Sequence, residues 1–96
     1  YQNAVKDYDQ AIKLKPDYAY AYNNRANAKF KLKDYEGALT DYSKAIELNP
    51  GYGYAYLNRG ITYEMMRKPQ NSCADWKKAA LLGIATAASY SNLQCK

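Results

Sequence analysis

The phrase DYAYAYNNRANAK at residues 17–29 returns as GYGYAYLNRGITY at residues 51–63, 34 positions later. The same interval carries Pro16 to Pro50, Tyr18, Tyr20 and Tyr22 to Tyr52, Tyr54 and Tyr56, and Asn24 and Arg25 to Asn58 and Arg59. Asp7, Asp41 and Asp75 are in phase too, each followed by an aromatic (Tyr8, Tyr42, Trp76) and then, three residues on, by Ala11, Ala45 or Ala79. The tail keeps the interval, since Tyr90 and Asn92 follow Tyr56 and Asn58 by 34 residues. A fixed period of this size means that one supersecondary unit is written repeatedly. A unit so small cannot bury its apolar face alone and must stack on its neighbours.

Inside a unit the apolar residues recur at helical spacing. Tyr22, Ala26 and Phe30 come every four places, and Ala38, Leu39, Tyr42, Ala45 and Ile46 form an i, i+3, i+4, i+7 stripe. The spacing predicts helices over 19–32 and 35–48. Asp34 suits the N-cap of the second, and Asn49-Pro50 closes it, because the residue before a proline is pushed out of helical geometry. So short a link makes the two helices antiparallel neighbours. The chain therefore reads as all-α, a solenoid of antiparallel helix pairs. Residues 1–16 form the second helix of a truncated repeat, 17–50 and 51–84 are full repeats, and 85–96 is a capping helix that follows Gly83. In that cap Gln94 takes the place of Ala26 and Gly60, where a polar side chain would crowd a further helix.

These residues resemble the tetratricopeptide repeat (TPR). Tyr22, Ala26, Ala38, Tyr42, Ala45 and Pro50 match its pattern in one unit, and Tyr56, Gly60, Tyr63, Ser72, Trp76 and Ala79 match it in the next. The resemblance implies a right-handed α-solenoid of about six helices and, in function, a scaffold for protein-protein interaction. Such a scaffold binds an extended peptide or partner protein in the concave groove lined by the first helix of each pair. By the same resemblance that groove is lined by Tyr20, Asn23, Asn24, Asn27, Phe30 and Lys31 from one helix. The next helix adds Tyr54, Leu57, Asn58, Ile61, Glu64 and Met65, and the cap adds Asn92.

Asparagine offers both a donor and an acceptor, so Asn24, Asn58 and Asn92 in a row are suited to bridging the main chain of a guest, or else to bonding neighbouring helix backbone or water. Chaperone-binding members of the family grip a terminal carboxylate with cations, but here Asn23, Ala88 and Asn92 hold the cationic places, so a carboxylate clamp is not expected. The alternative function is a structural spacer or self-association segment of a larger repeat protein.

The sequence departs from the family where Arg25 and Arg59 replace leucine and Lys29 replaces tyrosine. A half-buried cation needs a partner. We expect each arginine to pair across helices with one of Asp7, Asp41 and Asp75; the other reading sends both into the groove.

Chemistry beyond binding has little to work with. There is no histidine, two cysteines are too few for a zinc site, and no glycine-rich phosphate loop is present, so neither an enzyme, a metal nor a cofactor is expected. The net charge of +5 is interleaved along the helices rather than clustered, which argues against nucleic acid. Residues 79–95 fall short of the roughly 20 apolar residues of a membrane span. The Ala4, Tyr8 and Ala11 stripe of the first helix lacks a preceding partner, so a longer array or a homodimer is expected to cover it. Cys73 and Cys95 stand at similar heights, about 15–17 Å from the Gly83 turn, on antiparallel helices. We expect two free, partly buried thiols, as in the cytoplasm; a disulfide would require an oxidising compartment, periplasmic or extracellular.

Overall fold

Helices of nearly equal length joined by turns of three or four residues leave the chain one economical path, back and forth. The computed structural model describes residues 2–95, apart from the side chain of Gln94, so the expectation that it crowds a further helix lies outside the described residues. Over that span the helices are α1 (Gln2–Leu14), α2 (Ala19–Lys31), α3 (Tyr35–Leu48), α4 (Gly53–Met65), α5 (Pro69–Leu81) and α6 (Ala85–Gln94). No strand occurs among the described residues. Each helix packs on the next, and α2 also touches α4, so these two lie side by side on one face of a body 42 × 25 × 17 Å in extent. This is the expected all-α solenoid.

Local chemistry sets the turns. The carboxylate of Asp34 accepts from the N–H of Gly37 at 3.0 Å and caps α3. Pro69 opens α5, where its missing N–H has no helical partner to lose. Helices α2, α4 and α5 all end in one wrapped turn, in which Asp34 N–H reaches Lys29 O at 2.9 Å, Lys68 N–H reaches Tyr63 O at 2.9 Å and Ile84 N–H reaches Ala79 O at 3.1 Å. The residue before each of these donors takes the left-handed conformation that the motif demands: Lys33 at φ 64°, Arg67 at 59° and Gly83 at 95°.

The interior is built around two large rings in phase. Tyr42, 2% exposed, packs with Ala26, Ala38 and Phe30; Trp76, also 2% exposed, packs with Leu57, Ala79 and Ala87, and Ile61, Ile84 and Tyr90 close around it. Alanine at the crossing points lets the helix backbones approach, while the ring fills the gap between pairs. Helix α1 has no fully buried residue, and its Ala4, Val5, Tyr8, Ala11 and Ile12 are half-buried.

The expectation of two free thiols is overturned. The sulfurs of Cys73 and Cys95 are bonded, with Cα atoms 5.5 Å apart, and tie the end of α6 to the start of α5. The antiparallel run of α5 and α6 brings them to one level, and the preference of cysteine for buried sites, which suggested free thiols, does not distinguish the two states. No helix among the described residues is long and apolar enough to cross a membrane.

Candidate functional site

Between α2 and α4 the surface sinks into a hollow of about 410 Å³, lined by Asn27, Phe30 and Lys31 of α2, Tyr42 of α3, and Asn58 and Ile61 of α4. Tyr42 forms its floor, and its hydroxyl donates to Asn27 Oδ1. That bond engages the oxygen of Asn27 and leaves its amide hydrogens as donors. Burial pushes the phenol of Tyr42 above its ordinary range, and the hydroxyl of Thr62 pulls weakly the other way. Asn58 reaches across the pair to Asn23 Oδ1 at 3.5 Å. Lys31 is exposed and makes no ion pair among the described residues. The hollow thus offers amide and ammonium donors above an aromatic base.

Of the residues expected to line a groove, Asn27, Lys31, Asn58 and Ile61 come together here, with Phe30. Asn24 is half-buried on the same helix. Tyr20 and Tyr54 are 55% and 59% exposed near the starts of α2 and α4, and Tyr20 stacks on Tyr18 with centroids 5.8 Å apart. Tyr52 lies near both, since burial raises its phenol and the charges of Tyr20 and Tyr18 add to that rise, against a hydrogen bond with Asn23.

Three residues are placed differently. Leu57 is 7% exposed and belongs to the Trp76 core, because it faces α5 and α6 rather than α2. Asn23 is 5% exposed and acts as an acceptor for Asn58 instead of meeting solvent. Asn92 borders a separate hollow of about 330 Å³ with Lys77, Leu81 and Ser91.

The arginines are structural. Arg25 grips Asp41 with two bonds of 2.8 Å and reaches Asp9 at 2.7 Å, while Lys29 adds a third cationic contact to Asp41 at 3.0 Å. Arg59 grips Asp75 at 2.8 and 2.7 Å and donates to Ser43 Oγ at 3.2 Å. Each guanidinium also lies over a tyrosine ring, Tyr22 for Arg25 and Tyr56 for Arg59. Asp41 and Asp75 hold the protons of these arginines more firmly still, outweighing the opposite effect of burial. Each arginine thus pairs with one of the three in-phase aspartates, as expected; Asp9 on α1 is a further partner of Arg25, and Asp7, two residues away on that helix, is exposed. The spacing held the signal, because every partner lies 16 residues from its arginine, Asp9 and Ser43 before it and Asp41 and Asp75 after it.

A further hollow of about 340 Å³ is lined by Glu64, Arg67, Pro69, Ser72, Cys73 and Trp76. The indole N–H of Trp76 is buried without an acceptor among the described residues. No group of three His, Cys, Asp or Glu side chains there is placed to hold a metal ion.

Comparison with known proteins fits this geometry. Models described as tetratricopeptide repeat match residues 19–52 and 41–74, and one described as TPR repeat matches residues 1–33. No curated protein matches the sequence. Among solved structures, the TPR domain of Arabidopsis OM64 is similar with a TM-score of 0.89 at 32% identity, over 94% of this chain and 76% of that one. The first TPR of Spaghetti (RPAP3), bound to the HSP90 peptide SRMEEVD, gives 0.86 at 25% identity over 93% and 72%. The TPR2B domain of yeast Sti1, in a pHsp70 complex, gives 0.84 at 30% over 96% and 73%. With repeat models laid along residues 1–74 and helix pairs of the same shape in an OM64 domain 32% identical, the chain belongs to the tetratricopeptide repeat family.

Proposed function

We propose that the chain is a protein-interaction scaffold that holds an extended segment of a partner protein against the face formed by α2 and α4, with 17–50 and 51–84 as its two full repeats. The observation that carries this is the 410 Å³ hollow in which Asn27, Lys31 and Asn58 converge over Tyr42. Its size lies within the range of about 300–1,000 Å³ usual for ligand sites. Amides and the exposed ammonium of Lys31 favour a neutral or acidic segment whose carbonyls or carboxylates meet these donors. Tyr20, Asn24, Tyr54 and Ile61 extend the contact, the tyrosines supplying area at low entropic cost.

The relatives support the general role, since the RPAP3 domain carries an HSP90 peptide and the Sti1 domain a pHsp70 complex. The terminal-carboxylate grip is not carried over, because the positions where it needs cations hold buried Asn23, half-buried Ala88 and exposed Asn92.

A random peptide library displayed on phage tests the proposal. Enriched peptides, labelled and titrated by fluorescence anisotropy, are expected to bind an Asn27→Ala, Asn58→Ala variant of unchanged helicity about tenfold more weakly, the loss expected for two hydrogen bonds. Equal affinity for both proteins, or no enrichment, would reject the groove and leave the spacer reading.

A further inference from the structure

The first full repeat fills a space that the second leaves open. In the first, Phe30 and Tyr35 meet edge to face across the turn from α2 to α3, centroids 5.3 Å apart, and Phe30 packs on the Tyr42 cluster. The residues 34 places later are Glu64 and Pro69, so both rings are gone. The 340 Å³ hollow lies where they would stand, with Glu64 and Pro69 among its lining residues and Trp76 in the place of Tyr42.

We propose that this hollow is an anchor site for an aromatic side chain carried by the partner segment that lies on the α2 and α4 face. It rests on the groove reading above. What the preceding repeat puts there is an aromatic pair seated on an aromatic ring, so the complementary guest is another ring. The volume is ample, since a dry cavity of about 150 Å³ accepts benzene. Trp76, 2% exposed, closes the base of the hollow, where a guest ring would lie at its rim beside Pro69 and Cys73, and the Cys73–Cys95 bond fixes the wall behind it. Glu64 and Arg67 at the lining leave polar groups for the backbone that carries the ring. Glu64 at the lining belongs to α4, one of the two helices of the proposed groove.

Trp76 is the sole tryptophan, so the chain has a single indole N–H resonance to follow by NMR. The oxidised full chain is titrated with N-acetyl-phenylalaninamide and, in parallel, N-acetyl-leucinamide. The phenylalanine probe is expected to move the indole resonance saturably, at least about fivefold more tightly than the leucine probe. A Glu64→Phe, Pro69→Tyr variant restores the in-phase pair; it is expected to melt at a higher temperature and to lose the probe response about tenfold. Absence of a saturable shift, equal response to leucine, or an unaltered response in a folded double variant would overturn the proposal. So would an indole shift that follows protein concentration without probe, which assigns the hollow to a second copy. A library peptide that binds through Asn27 and Asn58 yet leaves the indole unmoved rejects the anchor and spares the groove. A probe response in a chain that selects no peptide rejects the groove, and with it the partner segment as occupant.

Discussion

The pyrrole edge of Trp76 lies directly on Gly60: a β-carbon there would stand 2.6 Å from Nε1 and 2.7 Å from Cδ1. One period earlier the same crossing is made by Ala26 and the smaller ring of Tyr42, both buried. Ring and crossing residue trade volume. Gly60→Ala is therefore expected to destabilise by about 1–2 kcal/mol, overpacking outweighing the better helix propensity of alanine. Adding Trp76→Tyr, which copies the preceding repeat, is expected to recover at least about 1 kcal/mol of that loss in a double-mutant cycle followed by urea unfolding. Strict additivity would mean that the two residues do not share the space.

The arginine clamps differ in depth. The side chains of Arg59 and Asp75 are 21% and 7% exposed, so Asp75→Ala strands a half-buried guanidinium and is expected to cost about 3 kcal/mol. Asp9 is 53% exposed in its pair with Arg25, and Asp9→Ala is expected to cost no more than about 1 kcal/mol. Denaturant midpoints of the two variants should separate clearly, and coincident midpoints would contradict the burial argument.

The cystine encloses 22 residues of sequence separation, a loop whose closure is worth about 3 kcal/mol in the chain-entropy account. Reduction, or Cys73→Ser with Cys95→Ser, is expected to lower stability by that order and to release α6 first. Its backbone amides should lose hydrogen-exchange protection before those of α2 and α3. A thiol count on denatured, unreduced protein should read zero, and two would place the chain in a reducing compartment.

Tyr42 makes the fold sensitive to alkali. Its folded-state pKa is raised above the ordinary 10.0, chiefly by burial, so the folded chain keeps a proton that the unfolded chain releases. Stability from this group is complete below pH 10 and is lost as the pH climbs from there through the folded value. Tyr42→Phe is expected to start less stable, having lost the bond to Asn27, but to show a flatter decline above pH 10 in unfolding experiments. An equally steep decline would move the titration elsewhere.

Much of this is legible in the sequence. The expected helices at 19–32 and 35–48 compare with Ala19–Lys31 and Tyr35–Leu48, and Asp34 caps as its position suggested. Those features are local, set by periodicity and turn chemistry. What the sequence did not carry is direction around a helix. Arg25 and Arg59 meet Asp41 and Asp75 as expected, but Asp9 also joins Arg25, while Asp7, about 200° away around the helix, does not. Leu57 follows the first-helix pattern yet turns inward because α6 and Trp76 offer it a core. Phe30 with Tyr35, and the space left at Glu64 with Pro69, depend on side chains meeting across a turn, which a one-dimensional comparison of repeats does not weigh.

Arg25 holds Asp9 on α1 and Asp41 on α3 with one planar group, and Arg59 joins Ser43 on α3 to Asp75 on α5 in the same way. Each cation is thus a rivet through three consecutive rods. Pulling α3 or α5 from the stack would strand a charge in an adjoining layer, so the stretch from α2 to α5 should melt abruptly rather than layer by layer.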